Sequence, residues 1–160
     1  MKYAIKQKFF ALADSFTIKD EGGSDVYVGK GQFFSIGKKL RLFDMSDNEL
    51  CLIQQKLFKL LPEYEISMAG QLRANVKKRF ALFRNDFTIT AGGGTYEVKG
   101  DWVGFEFAII KSGREVARIS KKFFAWTDTY GVEIAEGEDS VELLALAIVI
   151  DLVCHDNRKK

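Results

Sequence analysis

Residues 5–18 read IKQKFFALADSFTI, and residues 76–89 read VKKRFALFRNDFTI. Setting Phe9 on Phe80 and Phe16 on Phe87 gives a single offset, 80 − 9 = 71 and 87 − 16 = 71, with Lys6/Lys77, Thr17/Thr88 and Ile18/Ile89 also identical. The correspondence continues: Tyr27 and Gly31 fall on Tyr96 and Gly100 at an offset of 69, and Ile53, Lys56, Phe58 and Tyr64 fall on Ile119, Lys122, Phe124 and Tyr130 at 66. Duplication followed by loop trimming leaves a slowly shrinking offset of this kind, so the chain reads as two copies of one unit followed by a different C-terminal segment.

Each copy divides into short runs between turn residues, the spacing of an all-β barrel or sandwich. The pattern predicts strands near 3–11, 14–20, 25–30, 36–44, 49–57 and 62–68, and again near 72–83, 86–91, 94–99, 104–112, 115–124 and 129–135. Glu21-Gly22-Gly23-Ser24 corresponds to Ala91-Gly92-Gly93-Gly94, and Asp47-Asn48 to Ser112-Gly113, as hairpin turns. Alternation assigns the faces: Tyr3, Ile5 and Phe9 oppose Lys2, Lys6 and Lys8, while Val76, Phe80 and Leu82 oppose Arg73, Asn75, Lys77 and Arg79.

The tail departs from alternation. VELLALAIVIDLVC, from Val141 to Cys154, is apolar on nearly every side and follows Asp139-Ser140-Val141-Glu142, an acidic capping box. A helix apolar all round is buried in protein or in lipid. A bilayer span takes about 20 apolar residues, and this shorter run is interrupted by Asp151, so burial in protein is expected. Twelve antiparallel strands would close into a barrel too wide for side chains alone to fill, and an apolar helix suits its lumen. The expected fold is therefore mainly β: a closed twelve-stranded antiparallel barrel from two six-strand repeats enclosing a hydrophobic C-terminal α-helix. One domain spans 1–160, with repeat one at about 3–68, repeat two at about 72–135 and the helix at about 139–155.

Composition agrees with one β-rich domain. The 160 residues include 14 Phe against one Pro and one His, and aromatic side chains fit pleated, half-buried surfaces. A net charge of +2 argues against a surface built throughout for nucleic acid and leaves room for a local basic stripe. MKYAIKQKFF lacks the apolar run of a secretory signal, so the expectation is a cytoplasmic protein, peripheral to the membrane, without a transmembrane segment, and monomeric. Cys51 and Cys154 each sit in apolar sequence and read as buried free thiols; with one His they fall short of a zinc ligand set, and no metal or cofactor is expected.

FFSIGKKL from Phe33, VKKRF from Val76, ISKKFFAW from Ile119, DTYGVEI from Asp128 and LALAIVID from Leu144, taken with the duplication and the terminal helix, resemble the LURP-one-related branch of the tubby C-terminal-like superfamily over essentially the whole chain. That resemblance implies a twelve-stranded antiparallel barrel around a hydrophobic helix. Phospholipid scramblases are similar to the same superfamily, but their Pro-rich extension, Cys-rich tract and calcium loop have no counterpart here, so scrambling is not carried over. Tubby-type domains bind phosphoinositide head groups through Lys and Arg on the barrel wall; no motif transfers that site to particular residues of this chain.

Charge placement offers candidates of its own. Lys38, Lys39 and Arg41 form one basic cluster, Lys77, Lys78 and Arg79 a second, and Lys121 with Lys122 a third; for anion or head-group binding, Lys38, Lys39, Arg41, Lys77, Arg79 and Lys122 are the candidates. The competing account is that exposed strand faces carry Lys to stay soluble and to block edge pairing. Gln7, Lys78, Gln55 and Lys121 fall on the core face by alternation, and Asp151 interrupts the apolar helix. Buried polar groups need partners, so Asp151 is expected to meet Lys78 or Lys121 and fix the helix's rotation, unless a bulge turns those side chains outward.

No catalytic residue is assigned. His155 stands alone beside the chain end, no G-x-S-x-G elbow occurs, and Gly92-Gly93-Gly94 lies where the first copy has a hairpin turn. The expected function is a non-enzymatic binding or scaffold module that docks anionic lipid head groups or an acidic protein on a basic barrel wall. The alternative is a nucleic-acid or transcription-linked adaptor, suggested by basic and aromatic residues alternating in VKKRFALF and SKKFFAW; it requires exposed Phe rings.

Overall fold

The structure, a computed structural model, describes residues 1–6, 15–32, 37–79, 86–91, 94–101, 104–123 and 129–158. Among them are twelve strands: β1 (Lys2–Lys6), β2 (Ser15–Asp20), β3 (Asp25–Gln32), β4 (Lys39–Asp44), β5 (Glu49–Gln55), β6 (Glu63–Met68), β7 (Gln71–Arg79), β8 (Asp86–Ala91), β9 (Gly94–Asp101), β10 (Glu106–Lys111), β11 (Arg114–Ser120) and β12 (Thr129–Ile134). A 3-10 turn, Lys121–Phe123, follows β11, and one α-helix, α1 (Ser140–Arg158), ends the chain. The protein is mainly β, an antiparallel sheet with one C-terminal helix.

Sequence neighbours pair in turn from β2 to β12, and β1 lies between β12 and β2. The β1–β12 ladder runs from Lys2↔Glu133 to Lys6↔Thr129. The β1–β2 contact is shorter, Tyr3↔Asp20 and Ala4↔Lys19.

The register repeats between the halves. Tyr64 pairs with Val76 across β6 and β7, and their counterparts Tyr130 and Ile5 pair across β12 and β1. Ile53↔Ile66 has the counterpart Ile119↔Val132, and the irregularity between Leu42 and Phe43 matches one between Ile109 and Ile110.

Alternation puts one face of each strand into a single core. Ile5, Ile18, Leu40, Leu42, Ile53, Ile66, Ile109, Ile119 and Val132 are buried, together with Tyr64 and Tyr130. The same core takes in every helix residue from Leu143 to Cys154 except Asp151, which is buried among them. α1 packs against β5, β6, β7 and β12. Its start shows the N-cap half of the expected box: the Asp139 carboxylate accepts from the Glu142 amide at 3.1 Å, and the Asp139 carbonyl accepts from Leu143 N at 3.1 Å. Ion pairs of Glu138 with Arg114 (2.9 Å) and Lys111 (3.7 Å), and of Glu142 with Arg73 (3.8 Å), tie the helix entrance to three strands or their turns.

The strand expected over 36–44 begins at Lys39, and the strand expected over 49–57 ends at Gln55. The last strand of ISKKFFAW was expected to reach residue 124, but β11 stops at Ser120, whose Oγ accepts from the Lys122 amide at 3.0 Å and donates to Glu106 Oε1 at 2.5 Å. A serine that satisfies a neighbouring backbone N–H offers the chain a turn in place of the ladder. Gln7, the expected strand ends at 7–11 and 80–83, and Gly92-Gly93 lie outside the described residues.

Candidate functional site

In an antiparallel ladder, alternate connections fall at opposite ends. The tight turns β2–β3, β4–β5, β6–β7 and β10–β11 share the end where α1 enters, and the β5–β6 connection, residues 56–62, lies at the other. That connection reads Lys56-Leu57-Phe58-Lys59-Leu60-Leu61-Pro62. Its base is pinned: Lys56 N donates to Glu63 O at 2.8 Å, and Lys78 N donates to Pro62 O at 3.1 Å.

Glu63, the first residue of β6, is 5% exposed and collects three ammoniums: Lys56 Nζ at 3.7 Å, Lys59 Nζ at 3.7 Å and Lys77 Nζ at 3.9 Å. The Asn75 amide also donates to it at 3.0 Å. Burial alone would raise this carboxyl's pKa; the Asn75 hydrogen bond and the Lys77, Lys59 and Lys56 charges overcome it and hold the group below the ordinary glutamate value. Lys56 also reaches Glu65 at 3.0 Å, and that hydrogen bond and charge raise the pKa of its ammonium.

Two expected candidates border the same connection. Gln55 N donates to Lys38 O at 2.8 Å, and Lys38 N donates to the Gln55 side-chain carbonyl at 3.2 Å, while Lys39 pairs in register with Gln54. Lys38, Lys39, Lys56, Lys59 and Lys77 therefore sit along adjacent strands β4 to β7 at one end. Against Glu63 and Glu65 they leave a surplus of 5 − 2 = 3 positive charges among these seven side chains.

The remaining candidates are placed differently. Arg41 is matched by Glu49, Nε to Oε1 at 2.7 Å. Lys122, 85% exposed in its side chain and 3.7 Å from Glu106, follows β11, four strands from β7. At about 4.8 Å per strand it lies some 19 Å along the wall from Lys77. The Arg79 side chain is outside the described set.

Of the interior polar candidates, Lys78 is half-buried, as its place two residues from buried Val76 requires. Gln55 is half-buried and turns toward Lys38. Lys121 lies with Nζ 5.6 Å from the Phe105 ring centre, and that ring stands edge-on to Tyr130 at 5.1 Å. Tyr130 lies beside Asp151; burial, reinforced by the Asp151 charge, pushes the phenol well above its ordinary pKa.

Sequence reading missed Lys56 and Lys59 as site residues, and with them the apolar side chains they flank. Phe58 is 100% exposed and Leu60 104%, while Leu57, 45% exposed, leans back with its Cδ2 3.1 Å from where a Cβ on Gly37 would stand. The available signal was a Leu-Phe-Lys-Leu-Leu run ahead of the chain's single proline, which fits neither strand alternation nor a polar turn.

Among the described residues, no helix is long and apolar enough to cross a membrane. The chain is 36% identical over 153 residues to the uncharacterised Bacillus subtilis (strain 168) protein YxjI, covering 96% of this chain and 93% of that one. An X-ray structure of an Arabidopsis thaliana protein is similar in fold, with a TM-score of 0.65 at 18% identity, over 94% of this chain and 90% of the other. The LURP-one-related family model matches residues 1–151, and the chain belongs to that family.

Proposed function

We propose that this protein is a non-enzymatic binding module that docks anionic phospholipid head groups on the basic end of β4–β7. The observation that carries the reading is the gathering of Lys56, Lys59 and Lys77 around one buried carboxylate, with Lys38 and Lys39 beside them. Glu63 and Glu65 cannot together neutralise these five ammoniums, and lysines already held in place lose less side-chain freedom on meeting a phosphate. The halves differ here: Glu63 pairs with Lys77, but at the corresponding place in repeat two Thr129 pairs with Lys6, so the organising carboxylate belongs to one repeat only. Each lysine near an anionic surface contributes about 1 kcal/mol, so a surplus of three gives reversible attachment that salt weakens.

Co-sedimentation with phosphatidylcholine vesicles with and without phosphatidylserine tests this. Binding is expected only with the anionic lipid, to fall as salt rises, and to drop several-fold in Lys77→Glu. A gel shift with single-stranded nucleic acid is the comparator; tighter, salt-sensitive binding there would replace the lipid reading with the adaptor reading.

The scaffold for this site is, in our reading, one domain whose twelve strands form a closed barrel of two six-strand repeats around α1, working as a monomer. The repeated register and the β1–β2 contact support it. Amide exchange measures the seam: closure requires the amides about Ala4 and Lys19 to be protected as strongly as those of the β1–β12 ladder, and exchange at open-strand rates would leave β1 and β2 as free edges.

A further inference from the structure

The β5–β6 connection combines a pinned base, a ring of lysines and two large apolar side chains in water. Phe58 adopts φ of 60°, a left-handed conformation that non-glycine residues rarely take, and the chain holds it there although the ring packs on nothing that would repay the strain. The large exposed apolar side chains among the described residues outside this connection, Met1 before β1, Met45 in the β4–β5 turn and Leu72 near the start of β7, lie toward the opposite end. Phe58 and Leu60 are thus paired at one tip and flanked by Lys56 and Lys59, with Lys77 behind them.

We infer that residues 57–60 are a membrane-insertion loop: Phe58 and Leu60 enter the interfacial region of an anionic bilayer while Lys56, Lys59 and Lys77 contact the phosphates around the point of entry. The inference rests on the head-group reading and adds to it a direction of approach, loop end first, and an apolar component. An anionic bilayer matches both halves of the feature, because it presents negative charge at its surface and hydrocarbon a few ångströms below. Lysines suit this position, since their stems lie along apolar surface while their ammoniums remain with the head groups. The buried Glu63 carboxylate keeps the lysines at the collar of the loop, so the apolar tip leads.

Binding and insertion separate experimentally in the full-length chain. Phe58→Ser/Leu60→Ser is expected to lower partition onto phosphatidylserine-containing vesicles by roughly a hundredfold, about tenfold for each apolar side chain lost from the bilayer. Its thermal unfolding should remain that of the parent, since both side chains are already in water. In Phe58→Cys, labelled with a polarity-sensitive fluorophore, the emission should shift to the blue on adding those vesicles. The same label on Met45→Cys should not respond, and the parent protein should take no label because Cys51 and Cys154 are buried.

Parent protein that binds anionic vesicles while the double-serine variant binds as well, with no blue shift at position 58, would overturn insertion and leave head-group docking standing. Parent protein that ignores anionic vesicles would overturn both. Binding of soluble glycerophosphoserine as tight as that of the bilayer would show that the head group alone is read, against insertion. A parent dimer in gel filtration that the double-serine variant converts to monomer would assign the tip to a second copy of the chain and refute the proposal.

Discussion

Ile148→Asp is expected to leave the chain without a cooperative unfolding transition even before denaturant is added. Ile148 is 0% exposed at the middle of α1, and its neighbours Leu144, Ala145, Ala147, Val149 and Leu152 are buried too, so no rotation of the helix can bring a carboxylate there to water. An unpaired buried carboxylate costs several kcal/mol, on the scale of the whole stability of a domain, about 5–15 kcal/mol. Asp151, one turn later, is tolerated in its own setting, where the Tyr130 hydroxyl lies beside it. Ile148→Val is the control for size and should cost about 0.5–1.5 kcal/mol. Urea titration followed by circular dichroism measures both variants; an aspartate variant whose midpoint matched that of the parent would mean that the helix face at 148 reaches solvent, against the burial on which the core depends.

Most of the fold was legible because two periodicities exclude each other. Tyr3, Ile5, Phe16 and Ile18 alternate with small or polar neighbours, and the structure buries each of the four; Leu143 to Cys154 alternates with nothing, and the structure winds it into a helix buried on every side. The capping box was readable because Asp139 and Glu142 meet through bonds only three residues long. The end of β11 was not, because Ser120 Oγ turns the chain by accepting from the Lys122 amide while its own proton is held by Glu106 across the ladder, a partner fourteen residues away.

The basic site was legible in part, for a related reason. Lys38, Lys39 and Lys77 stood out as runs of charge, but whether a lysine contributes to a surface potential depends on what register sets beside it. Arg41 looked equal to them until a bulge after Leu42 brought Glu49 within 2.7 Å. Lys56 was passed over because strand alternation was carried beyond Gln55, and Lys59 because it stands in the connection as a single charge outside any basic run. Their convergence on Glu63 joins three separate segments of chain, and no local pattern records that.

Gly100→Ala is expected to cost the fold more than Gly29→Ala, the same added methyl on another strand. A Cβ at Gly100 would strike the Glu106 carbonyl oxygen and stand 2.7 Å from Phe107 Cδ1 and 2.8 Å from Phe107 Cα, so the obstacle includes the backbone of β10, with which Gly100 pairs in register. A backbone fixed by ladders on both sides cannot yield as a side chain does: β10 is bonded to β9 and β11. At Gly29 the three atoms nearest an added Cβ all belong to the Phe16 ring, a side chain that can yield by rotating where backbone cannot. Overpacking usually costs about 1–3 kcal/mol, and the alanine recovers about 0.4–1 kcal/mol by restricting the unfolded chain. Gly29→Ala should therefore net about 1–2 kcal/mol, and Gly100→Ala about 3 kcal/mol or more, a melting-point loss of roughly 6–12 °C for a chain of this size. Thermal unfolding of the two variants side by side decides the matter. Equal losses, or a larger one at Gly29, would mean that β9 and β10 are not held as closely at Gly100 as the ladder requires, and that the rigid element lies in the aromatic core instead.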